Sequence, residues 1–244
     1  MKSIFVGTSG YNYLHWKKTF YPSDLDFRKW LEFYSQYFNT VELNVTFYHL
    51  PKKEVFKNWY KRTPKDFRFV IKGSRFITHI KKLRDCLASL KIFFENASYL
   101  REKLSCVLWQ LPPSLKYDFS LLENFIKILK RKYSSILHSF EFRHKSWFTG
   151  NTYQLLKKHD INLCIADSPN FPSYKFLTSS FIYLRFHGGK ILYGSNYSDK
   201  ELRNWVKETK EWLKNKKLLF AFFNNDAYGF AVKNALKFKE LLIK

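Results

Sequence analysis

The sequence predicts an α/β fold, a TIM-like (β/α)8 barrel. Eight short apolar runs recur along the chain, amphipathic helical segments separate most of them, and each run ends in polar or charged residues. Such alternation gives parallel strands joined by crossover helices, and eight repeats suit a closed barrel. The length, 244 residues, is near the roughly 250 of one such barrel. No Gly/Ser/Pro-rich linker divides the chain, so one domain over residues 1–244 is expected.

The elements follow in order. The first run, Ile4–Ser9, leads into a long aromatic loop, YNYLHWKKTFYPSDL, and then a helix from about Phe27 to Phe38. The second, Thr40–Asn44, is followed by Val45–Pro51 and a helix through Phe56, Trp59 and Tyr60. After the third, Phe67–Gly73, a helix is expected over about Arg84–Lys103. After the fourth, Cys106–Leu111, a helix begins near Ser120, where Ser120 and Glu123 have capping-box spacing. The fifth and sixth runs are His138–Arg143 and Ile161–Asp167. Ser168–Ser180 then holds two prolines and little helical periodicity, so the helix there is short or missing. Eight-fold regularity is therefore approximate, with an open α/β sheet as the alternative. The seventh run, Phe181–Gly188, precedes a helix that repeats the capping-box spacing at Ser198 and Glu201 and carries Leu202, Trp205 and Trp212 on its apolar side. The eighth, Leu218–Asp226, precedes a last helix from about Phe230.

The chain carries 43 Lys+Arg against 20 Asp+Glu, a net charge of +23. A field of that size favours anionic partners: nucleic acid, phosphorylated small molecules or acidic membrane. The same abundance of Lys, Phe, Tyr, Asn and Ile is also what an AT-rich coding sequence produces, so charge by itself names no partner. The N-terminus has too few apolar residues before its polar turn for a signal peptide or a membrane span. Cys86, Cys106 and Cys164 lie far apart without metal-type spacing, which suits a reducing cytoplasm. Nothing in the sequence fixes an oligomeric state.

Side chains alternate across a strand, so residues two apart share a face. Glu42 and Asn44 fall together in strand two, Glu141 and Arg143 in strand five. Tyr183, Arg185 and His187 do so in strand seven, and Phe222, Asn224 and Asp226 in strand eight. Strands three, four and six offer Lys72, Gln110 and Asp167. With the bulky apolar partners facing the helices, the polar set converges on the C-terminal mouth, where barrel active sites lie. A structural ion pair, such as Glu141 with Arg143 or Arg185, accounts for single members. Burying so many ionisable groups merely for packing is costly, and a pocket for a polar ligand accounts for the set better.

Seven ordered strings, VGTSGYNY, FNTVELNVTFYHLP, FRFVIKGSRFITH, VLWQLPPSL, FEFRHKSWF, YLRFHG and FNNDAYGFAVKNA, closely resemble the domain of unknown function 72 family, also called YecE-like. The resemblance runs from Val6 to Ala235 and implies a TIM-barrel-like fold, but little about activity. The family's motif positions fall on Glu42, Asn44, Tyr48, Lys72, His79, Gln110, Glu141, Arg143, Trp147, Asp167, Arg185, His187, Asn224, Asn225 and Asp226. In one departure, Lys18 stands two places after Trp16, where the family tends to have a small residue, often glycine.

A phosphate-bearing ligand, nucleic acid included, fits this set best. Arg143 and Arg185 suit a forked phosphate clamp and Lys72 a point charge, with Tyr11, Tyr13, Trp16, Tyr48 and Trp147 placed to stack on bases. Glu141 or Glu42 would then serve as general base, His187 as acid, and Asp167 as a further carboxylate of the catalytic set. The ligand-binding set is Asn44, Tyr48, Lys72, Gln110, Arg143, Trp147, Arg185, Asn224 and Asp226. Glu42, Glu141, Asp167, His187 and Asp226 are donor types that a divalent ion accepts, yet no His-x-His or Glu-x-x-His spacing occurs and three nearby cations oppose it. No cofactor is expected, since neither a dinucleotide-type glycine turn nor a P-loop is present. The alternatives are a non-catalytic nucleic-acid binder, a glycosidase using Glu42 and Glu141, and a Schiff-base lyase using Lys72. Glu42 and Gln110 are expected to hold Lys72 charged, against the last of these.

Overall fold

The computed structural model describes residues 3–244. Nine parallel strands form: β1 (Ser3–Thr8), β2 (Thr40–Leu43), β3 (Arg68–Lys72), β4 (Leu104–Gln110), β5 (Leu137–Glu141), β6 (Asn162–Leu163), β7 (Ile165–Asp167), β8 (Phe181–Phe186) and β9 (Leu218–Phe223). They make two sheets, ordered β1-β9-β8-β7 and β2-β3-β4-β5-β6. Strand six of the sequence is split at Cys164. Its first half pairs with β5, and Cys164 still donates its N–H to the Phe140 carbonyl at 2.8 Å. From Ile165 the chain turns to pair with β8 instead. One continuous segment thus belongs to both sheets.

The expected closed ring is not completed by backbone pairing. No ladder joins β1 to β2 among the described residues, and side chains bridge that seam. Thr8 donates its N–H to the Tyr34 hydroxyl at 3.0 Å, which donates to the Thr40 carbonyl at 3.0 Å. Asn39 Nδ2 reaches the Ile4 carbonyl at 3.2 Å. The strands still approach closely: a Cβ on Gly7 would lie 2.4 Å from the Thr40 oxygen.

Eight α-helices accompany the strands: α1 (Trp30–Tyr37), α2 (Val45–Tyr48), α3 (Lys53–Lys61), α4 (Leu87–Ala97), α5 (Phe119–Lys132), α6 (Gly150–Lys158), α7 (Asp199–Asn215) and α8 (Phe230–Ile243). Helix α5 starts earlier than the Ser120 spacing suggested, because Asp118 is its N-cap and accepts from the Leu121 N–H at 3.0 Å. Ser198 and Glu201 do form a capping box on α7. Ser168–Ser180 contains no helix. A π-helical turn, Phe76–Ile80, follows β3 and carries His79; such turns are frequent at functional sites.

Strand parity sorts the apolar residues into two layers. Val41, Phe69, Trp109, Phe140, Ile182 and Phe223 pack outward under the helices. Val70, Cys106, Leu108, Tyr183, Phe220 and Phe222 fill the interior. Above this interior plug the inward positions turn polar, and there the strands end. No helix of the described residues is long and apolar enough to cross a membrane.

Candidate functional site

A cavity of about 480 Å³ opens at the C-terminal ends of the strands, lined by Tyr13, His15, Asn44, Tyr48, Lys72, Arg143, Arg185, Tyr193, Asn224, Asp226 and Ala227. Seven of the expected site residues therefore meet there: Asn44, Tyr48, Lys72, Arg143, Arg185, Asn224 and Asp226.

Directly beneath lies a dry ionic network centred on Arg185, which is 1% exposed. Arg185 donates from one terminal nitrogen to Glu42 Oε1 at 2.7 Å and from the other to Glu141 Oε2. Glu42 also accepts from Ser9 Oγ at 2.7 Å and from the Tyr183 hydroxyl. Glu141 takes a further bond from Arg143 Nε at 2.8 Å. Burial opposes the Glu141 charge, but Arg185 and Arg143 together hold its carboxyl well below the usual carboxylate range. Both carboxylates thus serve as counter-ions to arginines.

His187 is wholly buried between Arg185 and Asn224, its Nε2 3.3 Å from the guanidinium and its Nδ1 3.1 Å from the Asn224 amide. Desolvation first, and then the Arg185 charge, lower it to about 4. The ring is neutral at physiological pH. Asn224 Nδ2 donates to Nδ1, which leaves the ring proton on Nε2, 3.7 Å from Glu141 Oε1.

Lys72 differs from its neighbours. Its Nζ lies 3.9 Å from the centroid of the Phe47 ring, and among the described residues it forms no hydrogen bond or ion pair. Burial and the nearby Arg185 charge lower it to about 7, with Glu141 pulling the other way. The expectation that Glu42 and Gln110 hold this amine charged is not met, because Glu42 is engaged by Arg185, Ser9 and Tyr183. Two buried atoms of lining residues also lack partners, Arg185 Nε and Asn44 Oδ1. Arg143 Nη2 reaches the Tyr193 hydroxyl at 3.5 Å, its Nη1 has no hydrogen-bond partner among the described residues, and its guanidinium lies 4.0 Å from the Phe171 ring. Phe171 comes from the helix-free segment, so that stretch shapes the mouth in place of a helix.

On the opposite wall Asp226 accepts from Trp16 Nε1 at 2.9 Å and pairs with His15 Nε2 at 2.9 Å. Its carboxyl is raised, chiefly by burial.

Other expected residues lie elsewhere. Asp167 faces a separate cleft with Lys175, Tyr197, Glu201 and Glu208, its carboxyl raised by burial. It is aligned with Phe186 of β8, on the helix-facing side. Gln110 is buried, beside Glu141 in the sheet. Trp147 is buried against Phe142 and donates to the Leu115 carbonyl, and Trp16 is equally buried, so neither can stack on a base. Tyr11 hydrogen-bonds Trp59 Nε1 in a neighbouring pocket. Of the five aromatics expected at the rim, Tyr13 and Tyr48 line the cavity.

His15, Tyr193 and Ala227 line the cavity without having been singled out from the sequence. Their only sequence signal is a position in a loop directly after a strand. Among the described residues no group of three or more His, Cys, Asp or Glu side chains gathers in a metal-holding arrangement.

Comparison with known proteins agrees with this architecture. The UPF0759 protein YunF of Bacillus subtilis is 26% identical over 270 residues, covering 98% of this chain and 94% of its own. The UPF0759 protein YecE of Escherichia coli K12 is 26% identical over 236 residues, covering 86% and 82%. The crystal structure of a DUF72 family protein from Thermotoga maritima superposes with a TM-score of 0.88 at 31% identity, covering 99% of this chain and all of that one. A DUF72 family protein from Enterococcus faecalis gives 0.83 at 22% identity, covering 99% of this chain and 96% of that one. The family model described as "Protein of unknown function DUF72" matches residues 5–244, and the chain belongs to that family.

Proposed function

We propose that the mouth binds a small anionic ligand, a phosphate-bearing molecule above all, and that Lys72 and Arg143 make the principal contacts. The observation that carries this reading is the unpaired Lys72 amine on the cavity wall, with Arg143 lining the same cavity and its Nη1 without a hydrogen-bond partner among the described residues. Lys72, Arg143 and Arg185 against Glu42 and Glu141 leave their side of the cavity with one net positive charge while Lys72 is protonated, and the lining carboxylate of Asp226 is engaged by Trp16 and His15. The partnerless Arg185 Nε–H and Asn44 Oδ1 supply a donor and an acceptor as well. A cavity of about 480 Å³ suits a metabolite of mononucleotide size.

Binding is better supported than hydrolysis. A general base needs a carboxylate with a free lone pair facing the substrate. Glu42 and Glu141 spend theirs on Arg185, Arg143, Ser9 and Tyr183. His187 is buried below the floor, and its Nε2 proton faces Glu141 and not the cavity.

Calorimetric titration with phenyl phosphate tests the reading. Wild type should bind with one site, and a Lys72→Met/Arg143→Gln variant of unchanged fold should lose at least about ten-fold in affinity, as expected for charge-assisted contacts. Equal affinity in both proteins would refute it. One observation favours a second reading, in which the phosphate belongs to a nucleic-acid strand: Tyr48 is 74% exposed at the rim, a free face for a base. Oligonucleotide binding that survives moderate salt and weakens on Tyr48→Ala would select it.

A further inference from the structure

We propose that Lys72 is a nucleophilic amine that forms a Schiff base with the carbonyl group of an anionic aldehyde or ketone bound in this cavity. The proposal rests on the anion-binding reading above and names the substrate class.

A buried lysine ordinarily has its ammonium capped by acceptors. Lys103 shows this within the same chain: it donates to the Tyr60 carbonyl at 2.6 Å, the Thr63 carbonyl at 2.7 Å and Thr63 Oγ1 at 3.1 Å. Lys72 is about as deeply buried, 8% exposed against 4%, yet among the described residues its amine meets the Phe47 ring and the open cavity, with no hydrogen-bond acceptor. Its backbone is fixed, since Thr46 Oγ1 donates to the Lys72 carbonyl at 2.6 Å. The amine is therefore aimed, desolvated and uncapped, the arrangement that activates lysine for attack on carbonyls.

The charged groups acting on it come from every side. Arg185 on β8 and Arg143 after β5 oppose the ammonium, while Glu141 on β5 and Glu42 on β2 favour it. His79 on the π-turn is itself lowered to about 4, by burial and by Lys72, and is neutral at physiological pH. Lys72 accordingly sits near about 7, with a large fraction of free amine at neutrality. Arg143 is left to hold the anionic end of the ligand.

The chemistry balances without a co-reactant. The neutral nitrogen attacks the carbonyl carbon, a C–N bond forms, and the oxygen becomes the hydroxyl of a carbinolamine. The C–O bond then breaks, and the two amine hydrogens leave with that oxygen as water.

The test uses 4-formylphenyl phosphate with cyanoborohydride at neutral pH, followed by peptide mapping of the whole protein. Lys72 should be labelled faster than the surface lysines by about ten-fold or more, because they are protonated there. Phenyl phosphate, which lacks the carbonyl, should protect it. Lys72→Arg should lose the preferred label while the surface lysines are labelled at the wild-type rate. Labelling spread evenly over surface lysines, with phenyl phosphate still bound by wild type, overturns the Schiff base alone. Loss of both labelling and phenyl phosphate binding overturns the anion site as well. The wild-type map needs no variant to fold, so the result stands whatever Lys72→Arg does.

Discussion

The Lys72 amine lies 3.9 Å from the centroid of the Phe47 ring and has no carboxylate of its own. A π-face stabilises an ammonium by only about 0.5–2 kcal/mol, well short of what a buried charge loses in leaving water. An anion entering the cavity supplies the missing partner. Sulfate, whose charge is constant near neutrality, should bind about ten-fold more tightly near pH 6 than near pH 8, because Lys72 at about 7 loses its proton between them. Schiff-base labelling should move the opposite way, rising with pH. Calorimetry across that range separates the two.

The same depression makes Lys72 a stability liability. Its folded value, about 7, is below the unfolded 10.5, so the unfolded chain binds more protons between them and stability rises with pH over that window. Below it the whole cost of burying the charge is felt. Lys72→Met should therefore stabilise the protein by about 1 kcal/mol or more near pH 6, and by less near pH 9, while weakening anion binding near pH 6 by about ten-fold. Urea titrations at the two pH values measure this, and a destabilised variant at pH 6 would contradict it.

Arg185 should behave in the reverse manner. Truncation to Leu leaves Glu42 and Glu141 buried without the cation that both share. Removing one member of a buried charge set costs about 3–5 kcal/mol. Glu42→Gln should cost less, because Glu141 and the remaining polar contacts still hold Arg185. Chemical denaturation ranks the two; a cost for Arg185→Leu near zero would mean that the network is hydrated.

Acid should unfold the chain partly through His138. Trp109 Nε1 donates to its Nδ1 at 3.3 Å, and its Nε2 lies 3.1 Å from the Tyr133 carbonyl. The neutral ring satisfies both contacts, and a second proton would meet the indole N–H. Burial lowers this histidine to about 4 from 6.5. Its stability contribution is present above the unfolded value and is lost as pH falls through the folded one. The loss at pH 5 should be about 2 kcal/mol. His138→Gln should flatten the stability profile between pH 7 and 5, measured by urea midpoints.

Parity made most of the site legible in the sequence. Bulky residues at Val41, Phe140 and Ile182 marked the outward face, so Glu42, Glu141 and Arg185 had to point inward, and they do. The same rule applied to strand six excludes Asp167. Ile161, Leu163 and Ile165 are the outward set there, and Asp167 continues their parity onto the helix-facing side. What parity does not give is depth. It places Glu42, Lys72 and His187 on one face, but whether a residue lines the cavity or lies beneath it depends on strand stagger and on which partner captures which charge. Arg185 reaching two carboxylates at once, and so releasing Lys72, is a three-dimensional fact. The seam between β1 and β2 was equally hidden, since side chains of Tyr34 and Asn39 bridge it in place of a backbone ladder.

Lys18 illustrates a mismatch between residue and backbone. It has φ 71°, in the left-handed region, two places after Trp16, where the resemblance noted above implies a small residue, often glycine. The turn is anchored on both sides, with Lys18 N–H donating to the Tyr21 carbonyl at 2.8 Å and Trp16 held by Asp226. The conformation is therefore imposed, and a Cβ there costs about 1–2 kcal/mol. Glycine gives back about 0.5–1 kcal/mol through the greater freedom of its unfolded chain. Lys18→Gly should gain the difference, about 0.5–1 kcal/mol, whereas Lys18→Ala keeps the Cβ and should gain nothing. Equal midpoints for the glycine and alanine variants in a urea titration would show that the strain lies in the side chain, not in the backbone. Because Trp16 holds Asp226 at the cavity wall, a relaxed first loop should also leave anion affinity within about two-fold of wild type, so the gain in stability would be separable from the site.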